Sequence, residues 1–131
     1  MAIINGIKIF GSPWTPMFMN WCFMAQRGVE IARKWAKIPA DIDVLVTHGP
    51  PYGVMDNVNY LSQGCEELLH RIKELDLLAH IFGHIYEGYG FRRMPFGPIM
   101  VNASVCNDKY KPISTAPQTA NVCKCKIKKG L

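Results

Sequence analysis

Two short segments of the same design constrain the fold of this chain more than any other part of it. Residues 43–51 read Asp-Val-Leu-Val-Thr-His-Gly-Pro-Pro, and residues 81–90 read Ile-Phe-Gly-His-Ile-Tyr-Glu-Gly-Tyr-Gly. In each, a short apolar run leads to a histidine and then to glycine, proline or polar residues, which is typical of a buried strand that ends at a loop. Because open α/β sheets bind ligands at the carboxyl ends of their strands, we predict a site that contains His48 and His84.

The residues between these two segments predict a helix. Its apolar positions recur at helical spacing: Leu68, Leu69, Ile72 and Leu75. Ser62 is the predicted cap of this helix. His70 falls beside the apolar stripe, and we expect it on the surface. Strand, helix and strand together predict a βαβ unit with parallel strands and a right-handed crossover.

The remaining segments add further strands and one more helix. Asn5-Gly6 lies between β-branched residues and predicts a hairpin. Residues 26–37 predict a helix that Pro39 ends, and residues 99–104 predict a last strand. The sequence therefore indicates an α/β fold with a mixed sheet.

Length and cysteine content favour a single cytoplasmic domain. The chain has 131 residues and five cysteines, an odd number at irregular spacing that favours reduced thiols over a disulfide framework. No apolar run approaches the roughly 18 residues that cross a bilayer, and the N-terminus does not have the pattern of a signal peptide. We expect no membrane association.

The net charge of +5 lies at one end of the chain. Residues 106–131 hold six lysines and one aspartate, whereas basic and acidic residues balance over the first 105. We therefore predict a domain at 1–112 and a basic, disordered tail at 113–131. A solvated terminus explains this tail better than nucleic-acid binding does.

The two histidines suggest a metal site. Neighbouring strands lie about 4.8 Å apart, so histidines at the ends of two such strands can converge on one ion. Imidazole suits zinc, iron, manganese or nickel, at roughly 2.0 to 2.2 Å from nitrogen to metal. The alternative is that each histidine only makes hydrogen bonds within its own loop.

Alternation along the second strand places Phe82, His84 and Tyr86 on one face. Tyr86 would then point toward whatever His84 contacts. Since a tyrosine hydroxyl normally stays protonated, we expect Tyr86 to form a wall of the cleft or to donate a hydrogen bond to an anion.

The two histidine segments together resemble the last two motifs of the calcineurin-like metallophosphoesterases. They are most similar to the metallophosphoesterase-domain-containing proteins of animals. Other shared features occur in the same order: the Gly-Ser-Pro-Trp-Thr-Pro loop at 11–16, Arg27-Gly28 before Trp35, Ile38-Pro39 before Asp43, and Asn102-Ala103-Ser104. The resemblance spans about residues 4–112 and corresponds to the C-terminal half of that domain.

This resemblance implies half of a four-layer α-β-β-α sandwich with a divalent metal centre of manganese, iron or zinc. It implies hydrolysis of phosphate esters by metal-activated hydroxide, with phosphodiesters, small phosphate esters and nucleotides among the substrates. His48 and His84 would be ligands of one of two ions. Thr47, Gly49, Gly83 and Asn102 would belong to the loops of the cleft.

The sequence departs from the family pattern in two respects. Tyr86 stands where the family has the second histidine of its Gly-His-x-His motif. The Asp-x-His, Gly-Asp and Gly-Asn-His motifs have no counterpart in these 131 residues. We therefore expect at most one weakly bound ion and impaired or absent catalysis by the isolated chain, and we assign no catalytic residue. The alternative is a non-catalytic remnant that binds metal, associates with itself or joins a complementary chain.

Overall fold

The computed structural model describes residues 1–95, 97–107 and 109–113. These ranges contain two α-helices and one 3-10 turn: α1 (Val29–Trp35), α2 (Glu66–Lys73) and the turn at Tyr86–Gly88. The strands, in chain order, are β1 (Ala2–Ile4), β2 (Ile7–Ser12), β3 (Thr15–Pro16), β4 (Met24–Ala25), β5 (Val44–Thr47), β6 (Asn57–Val58), β7 (Leu61–Ser62), β8 (Ala79–Phe82), β9 (Gly90–Arg93) and β10 (Ile99–Asn102).

One mixed sheet of six strands forms the centre of the fold, in the order β1-β2-β5-β8-β10-β9. The four inner strands pair in parallel, and the two edge strands pair in antiparallel fashion. β5, α2 and β8 form the predicted βαβ unit with parallel strands. The α/β class and the mixed sheet are therefore confirmed.

Both helices pack on one face of this sheet. Leu45, His80 and Met100 lie side by side in register on three neighbouring strands, and all three are buried. The hydrophobic core on this face joins Leu45 and Met100 to Ile31 and Trp35 of α1 and to Leu68 and Ile72 of α2. The apolar stripe predicted for α2 is therefore the face that the helix buries.

The other face of the sheet leaves apolar side chains in contact with solvent. The next position along β5, β8 and β10, in register with one residue of β9, places four apolar side chains on the face away from the helices: Val46, Ile81, Val101 and Phe91. Val46 is 37% exposed and Phe91 is 72% exposed, and Ile4 at the edge of the sheet is 58% exposed. We call this surface the open sheet face.

Local structure differs from prediction at two helix ends. Ser62 does not cap α2, because it pairs with Asn57 in the β6–β7 hairpin; Cys65 is the N-cap residue, and its side chain makes no cap hydrogen bond. Helix α1 is shorter than the predicted 26–37. It starts after Gly28, whose φ of 84° lies outside the helical region, and it ends in tight turns such as that from Trp35 to Ile38.

The Asn5-Gly6 hairpin is present as predicted, with both residues at positive φ and with β1 and β2 as its arms. Of the predicted tail at 113–131, only Ile113 lies within the described residues, so disorder there stays a prediction. Among the helices of the described ranges, none is long and apolar enough to cross a membrane.

Candidate metal-binding site

Parallel pairing brings the two predicted histidines to the same end of the sheet, where β5 and β8 have their carboxyl ends. β5 ends at Thr47, one residue before His48, and the neighbouring strand β8 ends at Phe82, two residues before His84. Beyond the last strand pair, the amide of Gly83 donates to the carbonyl of His48 at 3.0 Å. This hydrogen bond extends the pairing into the loops and fixes the two histidine backbones relative to each other.

The two imidazole rings are in direct contact. His48 Nε2 lies 3.1 Å from His84 Nδ1, and the ring centroids are 4.7 Å apart at an interplanar angle of 46°. In this hydrogen bond one ring nitrogen donates its hydrogen and the other accepts it. Two nitrogens that each lie about 2.1 Å from one ion, at right angles or in tetrahedral geometry, are roughly 3.0 to 3.4 Å apart. The observed separation fits two adjacent ligands of one ion.

His84 has an unusual backbone conformation. Its φ is 74°, in the left-handed region, which side chains other than glycine adopt at a cost of about 1–2 kcal/mol. Such strain persists where the surrounding structure holds it, and it is frequent at functional sites. Burial, and then the neighbouring His48, lower the pKa of His84 below its ordinary value. A neutral imidazole with a free lone pair is the form that binds a metal.

Two imidazoles do not make a complete metal site. Within the described ranges, no group of three or more histidine, cysteine, aspartate or glutamate side chains is placed to hold one ion. A closed structural zinc site has four protein ligands, and a catalytic one has three. The pair can therefore supply part of a coordination sphere and needs further ligands from water, a substrate or another chain.

Tyr86 does not follow the strand alternation from which its position was predicted. β8 ends at Phe82, His84 adopts the left-handed conformation, and Tyr86 begins the 3-10 turn. The premise for placing Tyr86 on the face of His84 is therefore wrong. Its ring packs edge to face with Tyr110, at a centroid distance of 6.2 Å.

Asn102 anchors the loop that follows His84. The residue is fully buried, and its side-chain amide nitrogen donates to the carbonyls of Met55 and Ile85, at 3.1 and 2.8 Å. Its side-chain oxygen accepts from the amide of Ser104 at 3.1 Å. Asn102 thus holds the loop after His84 from inside the fold, through the carbonyl of Ile85.

Thr47 connects the site to a histidine that the sequence analysis did not single out. Its hydroxyl donates to the carbonyl of Gly49 and lies 2.8 Å from Nε2 of His80, which is fully buried in β8. The available signal was a histidine at a position of an apolar strand that faces the core. The fourth histidine, His70, is exposed on α2 as predicted.

A pocket of about 190 Å³ adjoins His84. Its walls are largely apolar, with Pro16, Phe18, Val58 and Ile85 among the lining residues, and Thr15 and Gln63 add polar groups. Gly49, another residue of the predicted cleft, also lines this pocket. A ligand held at the histidine pair would therefore have room for an organic group beside it.

Several known proteins are similar to this chain in sequence. Metallophosphoesterase domain-containing protein 1 of Homo sapiens is 44% identical over 115 residues, which cover 85% of this chain and 35% of that protein, and the Mus musculus protein matches equally well. A UPF0046 protein of Caenorhabditis elegans is 43% identical over 105 residues, or 79% of this chain and 26% of that protein. No protein-family model matches the chain.

The chain belongs to the metallophosphoesterase family, as the two histidine motifs predict. It spans about a third of the length of the curated metallophosphoesterase proteins that it matches.

The buried His80 makes a testable contribution to acid sensitivity. Burial lowers the pKa of His80 to about 3 from 6.5. The unfolded chain takes up a proton near pH 6.5 and the folded chain does not. The contribution of His80 to the free energy of unfolding is therefore complete above pH 6.5. It is lost as the pH falls from 6.5 toward 3, by about 1.4 kcal/mol per pH unit.

Urea unfolding at several pH values in this window measures the effect. We expect the free energy of unfolding to fall less steeply with acid in His80→Phe than in the wild type. Equal slopes for the two proteins would contradict the assignment of a neutral, buried His80.

Proposed function

We propose that this chain is a metal-binding segment of a phosphoesterase, in which His48 and His84 hold one divalent ion of manganese, iron or zinc. The observation that carries the proposal is the 3.1 Å separation of His48 Nε2 and His84 Nδ1 at the carboxyl edge of the sheet. The family supports the proposal, since the human and mouse relatives are named as metallophosphoesterase domain-containing proteins.

The ion would supply Lewis acidity toward a phosphoryl oxygen and would lower the pKa of a bound water. The chain itself contributes the two nitrogens, their fixed spacing and the adjoining pocket. The largely apolar walls of that pocket would receive the organic part of a phosphate ester, such as a phosphodiester or nucleotide, while its phosphate lies toward the histidines.

We further propose that hydrolysis by this chain alone is impaired. The described residues bring together only two nitrogen ligands, and no carboxylate among them is placed to join a second ion to the first. Two-metal phosphoesterase chemistry needs both ions to stabilise the attacking and leaving oxygens. A complementary chain could supply the missing ligands. We retain the cytoplasm as the proposed location, supported by the cysteine pattern.

Manganese binding by the purified chain tests this function. We expect electron paramagnetic resonance to detect about one bound Mn²⁺ per chain, as one pair of ligands implies. Removing one of only two nitrogen ligands should abolish this signal, so we expect none in His84→Ala. His70→Ala removes an exposed histidine on α2 and should bind as the wild type does.

Hydrolysis of a chromogenic phosphodiester provides the matching assay. Any turnover should require Mn²⁺ and disappear in His84→Ala. Manganese binding or turnover that survives in His84→Ala would overturn the proposal, as would an equal loss in His70→Ala.

A second proposal concerns the open sheet face. The resemblance to the family implies a four-layer sandwich with a second sheet, and we propose that a second copy of the chain packs against this face. A complementary chain is the alternative partner. The exposure of Phe91, Ile4 and Val46 supports this, because large apolar side chains exposed on one face of a sheet favour association.

Sedimentation at increasing concentration tests whether the open sheet face drives self-association. We expect a dimer in the wild type and a shift toward monomer in Phe91→Glu, because a carboxylate would have to be desolvated in the interface. Tyr60→Glu is the matched control, since Tyr60 is 97% exposed and lies on the β6–β7 hairpin. A monomeric wild type at all concentrations, without binding of an apolar dye, would contradict the proposal.

A further inference from the structure

We propose that His80 is a positioning residue for the metal-binding pair, because its imidazole acts through Thr47 to fix the turn that presents His48 to His84. The inference rests on the proposed metal binding and adds to it a third histidine that touches no ligand. The contacts that carry it lie wholly inside the described fold.

The hydrogen-bond pattern determines which nitrogen of His80 carries hydrogen. The hydroxyl of Thr47 has one hydrogen, which it donates to the carbonyl of Gly49 at 2.8 Å. The contact between Thr47 Oγ1 and His80 Nε2, also 2.8 Å, must then have nitrogen as the donor. His80 is therefore the neutral tautomer with hydrogen on Nε2, and a lowered pKa agrees with this.

The hydrogen bonds that link His80 to Thr47 and Thr47 to Gly49 restrain the backbone on both sides of His48. Thr47 precedes His48 and Gly49 follows it, so the bond from the Thr47 hydroxyl to the Gly49 carbonyl spans the histidine. The amide of Gly83 holds the carbonyl of His48 itself at 3.0 Å. Three consecutive residues are thus restrained, while the imidazole of His48 stays exposed and meets His84.

The fold retains His80 although its other nitrogen is unsatisfied. Nδ1 is buried and has no hydrogen-bond partner within the described part of the chain. A buried acceptor without a hydrogen bond destabilises the folded state, and an apolar side chain would avoid that cost. The neighbouring positions in register, Leu45 and Met100, are apolar. The benefit of a histidine at this position is therefore its hydrogen bond to Thr47.

Zinc affinity and ring geometry, measured on the same set of variants, test this role. His80→Phe and Thr47→Val remove one partner each, and Thr47→Ser keeps the hydroxyl. His70→Phe is the control for loss of an exposed histidine. We expect isothermal titration to show zinc binding weakened about 10- to 100-fold in His80→Phe and Thr47→Val. Thr47→Ser and His70→Phe should bind as the wild type does.

Two measurements without metal complete the test. The imidazole ¹H–¹⁵N spectrum should show His80 with hydrogen on Nε2, and a nuclear Overhauser effect should connect the rings of His48 and His84. That effect should be lost in His80→Phe and Thr47→Val. A merely structural role would lower the melting temperature of these variants and leave the ring contact and zinc affinity intact, which would overturn the inference.

The outcomes for the two proposals are distinguishable. If wild-type protein does not bind zinc, the proposed metal function fails, and the ring contact alone decides the role of His80. If zinc binding is lost in His84→Ala but unchanged in His80→Phe, only the positioning role fails. Should His80→Phe not fold, the comparison of Thr47→Val with Thr47→Ser decides the question.

Discussion

The parallel pairing of β5 with β8 is the constraint on which the rest of the site depends. It brings the carboxyl ends of both strands to the same end of the sheet, and the hydrogen bond from Gly83 to His48 continues the alignment into the loops. Two histidines that are 36 residues apart in sequence therefore meet at 3.1 Å. Had the strands paired in antiparallel fashion, their carboxyl ends would lie at opposite ends of the sheet, and His48 could not meet His84.

The helix-covered face of the sheet does more than provide a hydrophobic core. Three buried polar side chains lie on this face near the carboxyl ends of the strands: His80, Thr47 and Asn102. Their hydrogen bonds hold backbone carbonyls of the loops that flank His48 and His84. Because interior hydrogen bonds are shielded from water, these groups restrain the loops more firmly than surface contacts would.

Strands β5 and β8 and the meeting of the two histidines were predictable, because a short apolar run that leads to a histidine and a loop carries the signal of a buried strand and its end. The position of Tyr86 was not. Its prediction assumed that alternation continues past His84, and a left-handed φ at a residue other than glycine leaves no mark in the sequence. Ser62 likewise does not cap α2, because it pairs with Asn57 in the local β6–β7 hairpin, a competing structure that its capping preference does not reveal.

The place of Asn102 in the cleft stays a prediction. Its inward hydrogen bonds to Met55 and Ile85 were not predictable, because they depend on loops that no local pattern describes. His80 was missed for a similar reason. Its partner Thr47 lies 33 residues away, and only the register of β5 against β8 brings the two together.

The central claim is that His48 and His84 together bind one metal ion, and anomalous scattering tests it most directly. Crystals soaked in zinc chloride would be measured at the zinc absorption edge. We predict a single strong peak about 2.1 Å from both His48 Nε2 and His84 Nδ1. Strong peaks only at other side chains, such as Cys22 or His70, with none between the two rings, would contradict the account.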